Sequence, residues 1–323
     1  FTLFFILIGG FSVAQEIEVV TQEKTVGTIT ALQFSPDGRY IASVGDGRNV
    51  IKIWHVNSHK MVGALVGHQE KIEALAFNPE GQKLISADEK GKIIHWSLEH
   101  WNIIDSIQTD NRVHFSAAAY GKIPLLGSKD GVIFNYQSSK IQETENLKKE
   151  IHRLVYLPQS DQFLAGNDKG EVTLLEGSGK RKWSEKMLKN KTILLARIGK
   201  QAIVGDPSGA IAIFNLADGT ISKTHTLSTH NILDMDVADG LLALSTSAQS
   251  LEIWDLNTFT KKKTFDKKSQ GHPDIAITDN IQVLDIADQG GFIATASFKE
   301  NLFGKIKTKD NVIKVWDAKR MTL

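Results

Sequence analysis

The chain has 323 residues, 41% of them hydrophobic, and sets 38 Lys and Arg against 37 Asp and Glu for a net charge of +1. Both signs are interspersed, so there is no basic stripe of the kind that phosphate backbones select, and nucleic acid is not an expected partner. With no cysteine, disulfides, thiolate metal sites and thiol nucleophiles are excluded, while the compartment stays open.

In chain order, the first element is FTLFFILIGGFSVA, residues 1 to 14, an apolar run followed by the polar QEIE, with Ser12 and Ala14 at the small-residue positions that signal peptidase prefers. It is shorter than the roughly 20 residues that span a bilayer and lacks the alternation of a strand. It is expected to be the remnant of an export signal whose basic start and initiator Met precede Phe1. The mature chain is then periplasmic or secreted, with no membrane span. Next comes EIEVVTQEKT, residues 16 to 25, which stands ahead of a blade's first strand just as the later outer strands KMVGALVG and KKKTFDKK do. Ile17, Val19 and Val20 are expected to pair antiparallel with residues 312 to 317.

From there the chain repeats. NVIKIW, residues 49 to 54, returns as NVIKVW, residues 311 to 316, and the same pattern places Trp54, Trp96, Tyr136, Leu175, Phe214, Trp254 and Trp316 in register. Subtracting neighbouring numbers gives spacings of 42, 40, 39, 39, 40 and 62. A period near 40, built of four- to seven-residue runs rich in Val, Ile and aromatics between Gly, Asp, Asn and Ser, is that of propeller blades made of short strands. In residues 67 to 98, KIEALAF, KLISA and KIIHWSL are strands, NPEG and DEKG are turns, and NIIDSIQTD supplies the fourth strand. Pro79 and Gly81 shape one turn as Pro36 and Gly38 do in SPDG. A lone meander with two apolar faces cannot stand by itself, so the units must stack into a closed ring. The expectation is an all-β, seven-bladed β-propeller of four-stranded antiparallel blades over residues 16 to 323, with units ending near 56, 98, 137, 176, 216, 256 and 318.

The pairs Gly67/His68 and Gly271/His272, the turns SPDG and NPEG, and the strand endings IW, HW, IWDL and VWDA resemble the WD-repeat family over residues 16 to 318. The resemblance implies a buried, hydrogen-bonded set of His, Ser or Thr, Asp and Trp in a blade, the Asp six residues before the Trp. Asp310 and Trp316 fit this with His272 and Ser297, and Asp130 fits with Tyr136. Arg48, Lys90, Lys169, Ser208 and Ala248 hold the Asp place elsewhere, so those blades are expected to rely on apolar packing. His68, Trp54, Trp96 and Trp254 are assigned structural roles on the same basis.

Little in the chain points to catalysis. There is no Gly-rich phosphate loop and no His-Glu-x-x-His pattern. His55 and His59 lie in a strand connection, where a spacing of four imposes no common face. Asp234 and Asp236 share one face of an inner strand and Asp285 takes the place of Asp236 in the next blade; such carboxylates bind cations or exchange protons, or simply stay hydrated in the channel. EGSGKRKW, residues 176 to 183, is similar to a rhythm of quinone-dependent dehydrogenase propellers but occurs once, so Trp183 is expected to pack against its neighbour. No catalytic residue, cofactor or metal is assigned.

Trp101, between a third and a fourth strand, has no counterpart at its place in other repeats and is a candidate contact residue. The last unit exceeds the period through PDIAITDN and FKENLFGKIKTK, residues 298 to 309, the latter read as a loop between second and third strands. Both insertions fall at the end of the ring where blades are linked. There Lys299, Lys305, Lys307 and Lys309, against Glu300, are interleaved with Phe298, Leu302 and Phe303, a mixture that binds more often than it merely connects. The expected function is a monomeric, non-catalytic scaffold for protein or peptide partners. By family resemblance the alternatives are the regulatory propeller of a caspase-like peptidase whose catalytic domain lies beyond Leu323 or, less favoured, a quinone- or metal-dependent propeller enzyme.

Overall fold

Blade 1 shows how the sequence makes a repeat. Ile29–Phe34, Tyr40–Gly45, Val50–His55 and Lys60–Val66 form a four-stranded antiparallel sheet in that spatial order. Its first turn closes with the Gly38 amide donating to the Ser35 carbonyl at 2.8 Å, and Gly38 sits at φ 68°, where a side chain is costly. The computed structural model describes residues 19–20, 29–45, 49–110, 113–227, 230–266, 280–287, 291–301 and 308–318, all of them strands, turns and connections. Seven four-stranded sheets follow one another around a ring, each with its first strand innermost. Export-signal residues 1 to 14, Ile17, His272 and the insertion at 273 to 279 lie outside the described residues.

The core is divided into seven clusters, each shared by two neighbouring blades. Leu84, Ile94 and Trp96 of blade 2, for example, pack on Ala42, Ile51 and Ile53 of blade 1. Each sheet buries apolar groups on both faces, which is why no blade is a folding unit by itself. The seventh cluster joins the chain's two ends: Phe34, Ile41 and Trp54 meet Ile313 and Val315. The outer strand of blade 7 is Val19–Val20, antiparallel to Thr308–Asp317 with Val19 opposite Lys314 and Val20 opposite Ile313, as expected from the sequence.

Three local expectations are corrected. First, blade 2 keeps its polar set, although Lys90 holds the place six residues before Trp96. His68 Nδ1 lies 2.9 Å from Asp88, His68 Nε2 lies 2.7 Å from Ser86 Oγ, and Trp96 Nε1 donates to that same oxygen at 2.8 Å. The acidic member is eight residues before the Trp because it ends the second strand, where its other oxygen accepts the amides of Lys90 and Lys92. Ser128, Asn167, Asp206 and Thr246 cap the corresponding turns of blades 3 to 6 in the same way. Asp130 is exposed instead, and the Tyr136 hydroxyl donates to Asp105 of blade 2.

Second, in blade 7 it is Thr295 Oγ1, not Ser297, that accepts from Trp316 Nε1, at 3.0 Å. Thr295 faces the residue two before the Trp, as Ser43 and Ser86 do, and Ser43 accepts from Trp54 Nε1 at 2.9 Å. Leu126, Ala165, Val204 and Leu244 stand at that register in blades 3 to 6. Leu175 and Phe214 have no N–H to satisfy, and Trp254, facing an apolar Leu244, donates to Glu252 at 3.1 Å instead.

Third, the insertion at 298 to 309 is not simply a loop. The second and third strands of blade 7 run ten residues each, and beyond Ser297–Val312 they stay paired through Phe298–Asn311, Lys299–Asp310, Glu300–Lys309 and Asn301–Thr308. Asp310 is thus a strand residue of a hairpin arm, opposite Lys299.

Candidate functional site

In an up-down-up-down blade, second-to-third turns and blade-to-blade links share one end of the ring, and first-to-second and third-to-fourth turns share the other. The arm therefore rises from the link face. Its four extra residues per strand add about 14 Å at ~3.4 Å per residue. It places Lys299 and Lys309 one pair apart on opposing strands; Leu302, Phe303, Lys305 and Lys307 lie outside the described residues. Trp101 closes a third-to-fourth turn and so belongs to the opposite face. The structure does not bring the two groups of candidate contact residues together.

Trp101 has a counterpart after all. His59, Trp101, Ser139, Gly179, Gly219 and Phe259 occupy one turn position, all with φ between 54° and 90° expected only of special sites. At Trp101, Gly179, Gly219 and Phe259 the residue there meets the outer strand of the preceding blade. A Cβ at Gly63 would lie 2.5 Å from the Trp101 ring, and Phe259 stacks on His225 with centroids 3.9 Å apart. Between blades 4 and 5 the sizes are exchanged: Trp183 of the outer strand covers Gly219, meets Phe214 edge-on at 6.0 Å and donates to the Leu216 carbonyl at 3.1 Å. One bulky ring fills each of these junctions. Trp101 nevertheless remains 40% exposed.

The inner-strand carboxylates are ties between blades. Asp234 accepts the Leu284 amide at 2.9 Å, Asp236 the Ile286 amide at 2.8 Å, and Asp285 the Phe34 amide at 2.6 Å. Ser116 donates to the Ile151 carbonyl at 2.6 Å, and Arg153 spans two junctions, reaching the Ile193 carbonyl at 2.8 Å and Asp234 at 2.7 Å. Burial pushes Asp234 up while Arg153 pulls it back. Burial also pushes Asp236 up, to about 6, while the amides of Ile286 and Val237 and the neighbouring Asp285 side chain pull it back. Among the described residues no group of three or more His, Asp or Glu side chains is arranged to hold a metal ion.

The direction of the Asp236 shift fixes a pH dependence. A folded value above the ordinary carboxylate value means that the contribution of Asp236 to stability is fully present below pH ~4 and lost as pH rises through about 6. Asp236→Asn keeps an acceptor for Ile286 without the buried charge. It is expected to raise unfolding free energy by about 2–3 kcal/mol at pH 8 and by little at pH 4, at ~1.4 kcal/mol per pH unit. Urea denaturation of both proteins at the two pH values checks this; an equal effect at both would show that folding does not raise the Asp236 pKa.

The other polar cluster joins blades 2 and 3. Tyr120 Oη lies 2.6 Å from His95 Nε2, and Asp105 lies 3.7 Å from His95 Nδ1 and accepts from Tyr136. Burial lowers the His95 value and lifts Tyr120 to about 12. His55 is committed to Ser58, at 3.0 Å, and to the edge of Tyr40. On the face opposite the arm, a groove of about 570 Å³ opens between blades 5 and 6, with Arg197, Lys223 and Asp239 at its walls and Ile198, Leu256 and Phe259 among its lining. Among the described residues no helix is long and apolar enough to cross a membrane.

Residues 19–55 and 59–97 match the WD40 family, described as WD domain, G-beta repeat. Transcription initiation factor TFIID subunit 5 of Caenorhabditis elegans is 30% identical over 118 residues, 36% of this chain and 17% of that protein. Small ribosomal subunit protein RACK1 of Neurospora crassa is 21% identical over 136 residues, 42% and 43% of the two chains. The match thus spans less than half of either relative. Among solved structures, the Cps50 (Swd1) β-propeller domain of Myceliophteria thermophila superposes with a TM-score of 0.70 at 16% identity, covering 93% of this chain and 100% of that one. U3-55K gives 0.73 at 14% identity, covering 92% and 98%. Repeat sequence, blade count and superposition agree on one statement: this chain is a seven-bladed β-propeller with WD40 repeats in its first two blades.

Proposed function

We propose that the protein is an exported, non-catalytic scaffold that binds a protein or peptide partner on its link face, with the blade 7 arm as principal contact. The observation that carries this is the arm: in one blade of seven, two strands continue past the ring, bearing Lys299 and Lys309. The polar clusters support a structural role, because their donors and acceptors are spent on neighbouring blades. Two similar proteins bear names of parts of assemblies, a TFIID subunit and a small ribosomal subunit protein. Export rests on residues 1 to 14 alone.

Deleting residues 299 to 308 and bridging with Gly-Ser is expected to leave the melting transition within about 1 kcal/mol, since the pairs removed lie beyond the last ring pair, Ser297–Val312, and closing the shorter connection costs little. Partner capture from a periplasmic extract should be lost. Unchanged capture by the shortened protein would reduce the arm to a connector.

A further inference from the structure

Seven large apolar side chains are exposed among the described residues, and six of them lie on two neighbouring outer strands and the turn that opens the second: Met61, Val62 and Val66 of blade 1, and Trp101, Ile103 and Ile104 of blade 2. The strand Lys60–Val66 is last in its sheet, so its outward backbone groups have no ladder partner among the described residues. After Lys60 it contains no charge: MVGALV. Three of the other described outer strands are heavily charged, NIIDSIQ and ISKTHT carry one charged group each, Asp105 and Lys223, and the two-residue Val19–Val20 carries none. KIQETEN carries Lys140, Glu143 and Glu145, RKWSEK carries four charged groups, and TKKKTF carries three lysines. Charge on an edge is the ordinary guard against strand addition, and a bare apolar edge is a template for it.

We propose that Lys60–Val66 is a strand-addition site that takes an extended, uncharged, apolar segment of a partner protein as a fifth strand of blade 1. The size of the surface selects this occupant. Seven residues at ~3.4 Å give a strip about 24 Å tall, and neighbouring sheets packed ~10 Å apart make it a few hundred Å² in area. A stable dimer of this chain needs roughly 800 Å² on each side, whereas one added strand needs only the edge and a wall to lie against. The wall is present: the Trp101 ring stands over Gly63, the one position of the strand without a side chain, and Ile103 continues it to Gly67, just past the strand's end. Val66, 68% exposed, ends the strip at the link face. This surface lies on the rim, apart from the arm, so it stands or falls independently of the link-face reading.

The test is a random twelve-residue peptide library panned against the folded protein and against Val62→Lys/Val66→Lys, whose exposed positions leave the fold intact, as equal melting curves would verify. The expected result is enrichment of uncharged sequences with alternating apolar residues, binding the wild type at least tenfold more tightly than the double variant and failing when alternate peptide amides are N-methylated. Peptides that bind both proteins equally, or no enrichment on the wild type over the variant, overturn the proposal. N-methylated peptides that bind as well as their parents overturn strand addition in favour of plain apolar contact. Concentration-dependent self-association of the wild type, abolished in the double variant, would assign the edge to a second copy of the chain and overturn the partner segment.

Discussion

Trp316→Ala is expected to lower the unfolding free energy by about 3–5 kcal/mol, whereas Trp101→Ala lowers it by roughly 1 kcal/mol or less. Trp316 has no exposed surface and lies between two blades, its ring centroid 5.1 Å from that of Phe265 in blade 6. Removing it opens a cavity that two rigid sheets cannot close, and it leaves Thr295 Oγ1 without the indole donor. Trp101 rests on Gly63 from one side only, and solvent fills the space it vacates. Urea denaturation measured by far-ultraviolet circular dichroism compares both. Similar losses for the two would mean that the rim contact on Gly63 is as important as burial between blades, and the division into core and surface tryptophans would fail.

The blade count is legible in the sequence because each third strand ends in one residue that must be large and buried, and burial tolerates Trp, Tyr, Phe or Leu while fixing the period. The ring closure is legible for a related reason: without residues before Ile29, blade 7 has three strands. The turn caps are hidden by geometry. Asp88, Asn167 and Asp206 lie eight residues before the aromatic position, at or just past the end of a strand, and only a structure shows that the carboxylate or amide oxygen there turns back onto amides two and four residues later. The ties made by Asp234, Asp236 and Asp285 are half legible. Their shared face can be read from the alternation, but the acceptor's partner is a backbone amide of the next blade, which carries no sequence signature. The arm reads as a loop because Phe298, Lys299 and Glu300 do not alternate in the pattern of the ring strands, whose apolar residues answer to neighbouring blades.

A chain beginning at Val26 is expected to lose the single cooperative unfolding transition that a chain beginning at Glu16 shows. The described outer strand of blade 7 is only Val19–Val20, yet it covers the middle of the third strand at Lys314 and Ile313, next to Trp316. Without it, that strand becomes an open edge at the one junction where the first and last blades meet, and an open edge both frays and recruits other chains. The damage does not stay local. Ile313 and Val315 belong to the core shared with Phe34 and Trp54, and the Asp285 tie to the Phe34 amide crosses the same seam, so loosening blade 7 exposes blade 1. In a closed ring each blade is held by two neighbours; opening one seam turns the ring into an array whose end blades are held by one and whose unfolding spreads over a range of denaturant. Tryptophan fluorescence and far-ultraviolet circular dichroism should therefore give coincident urea transitions for the longer chain and separated ones for the shorter. A synthetic peptide of residues 16 to 25 added in trans should restore coincidence. Equal, coincident transitions for both chains would show that the strand at Val19–Val20 does not close the ring.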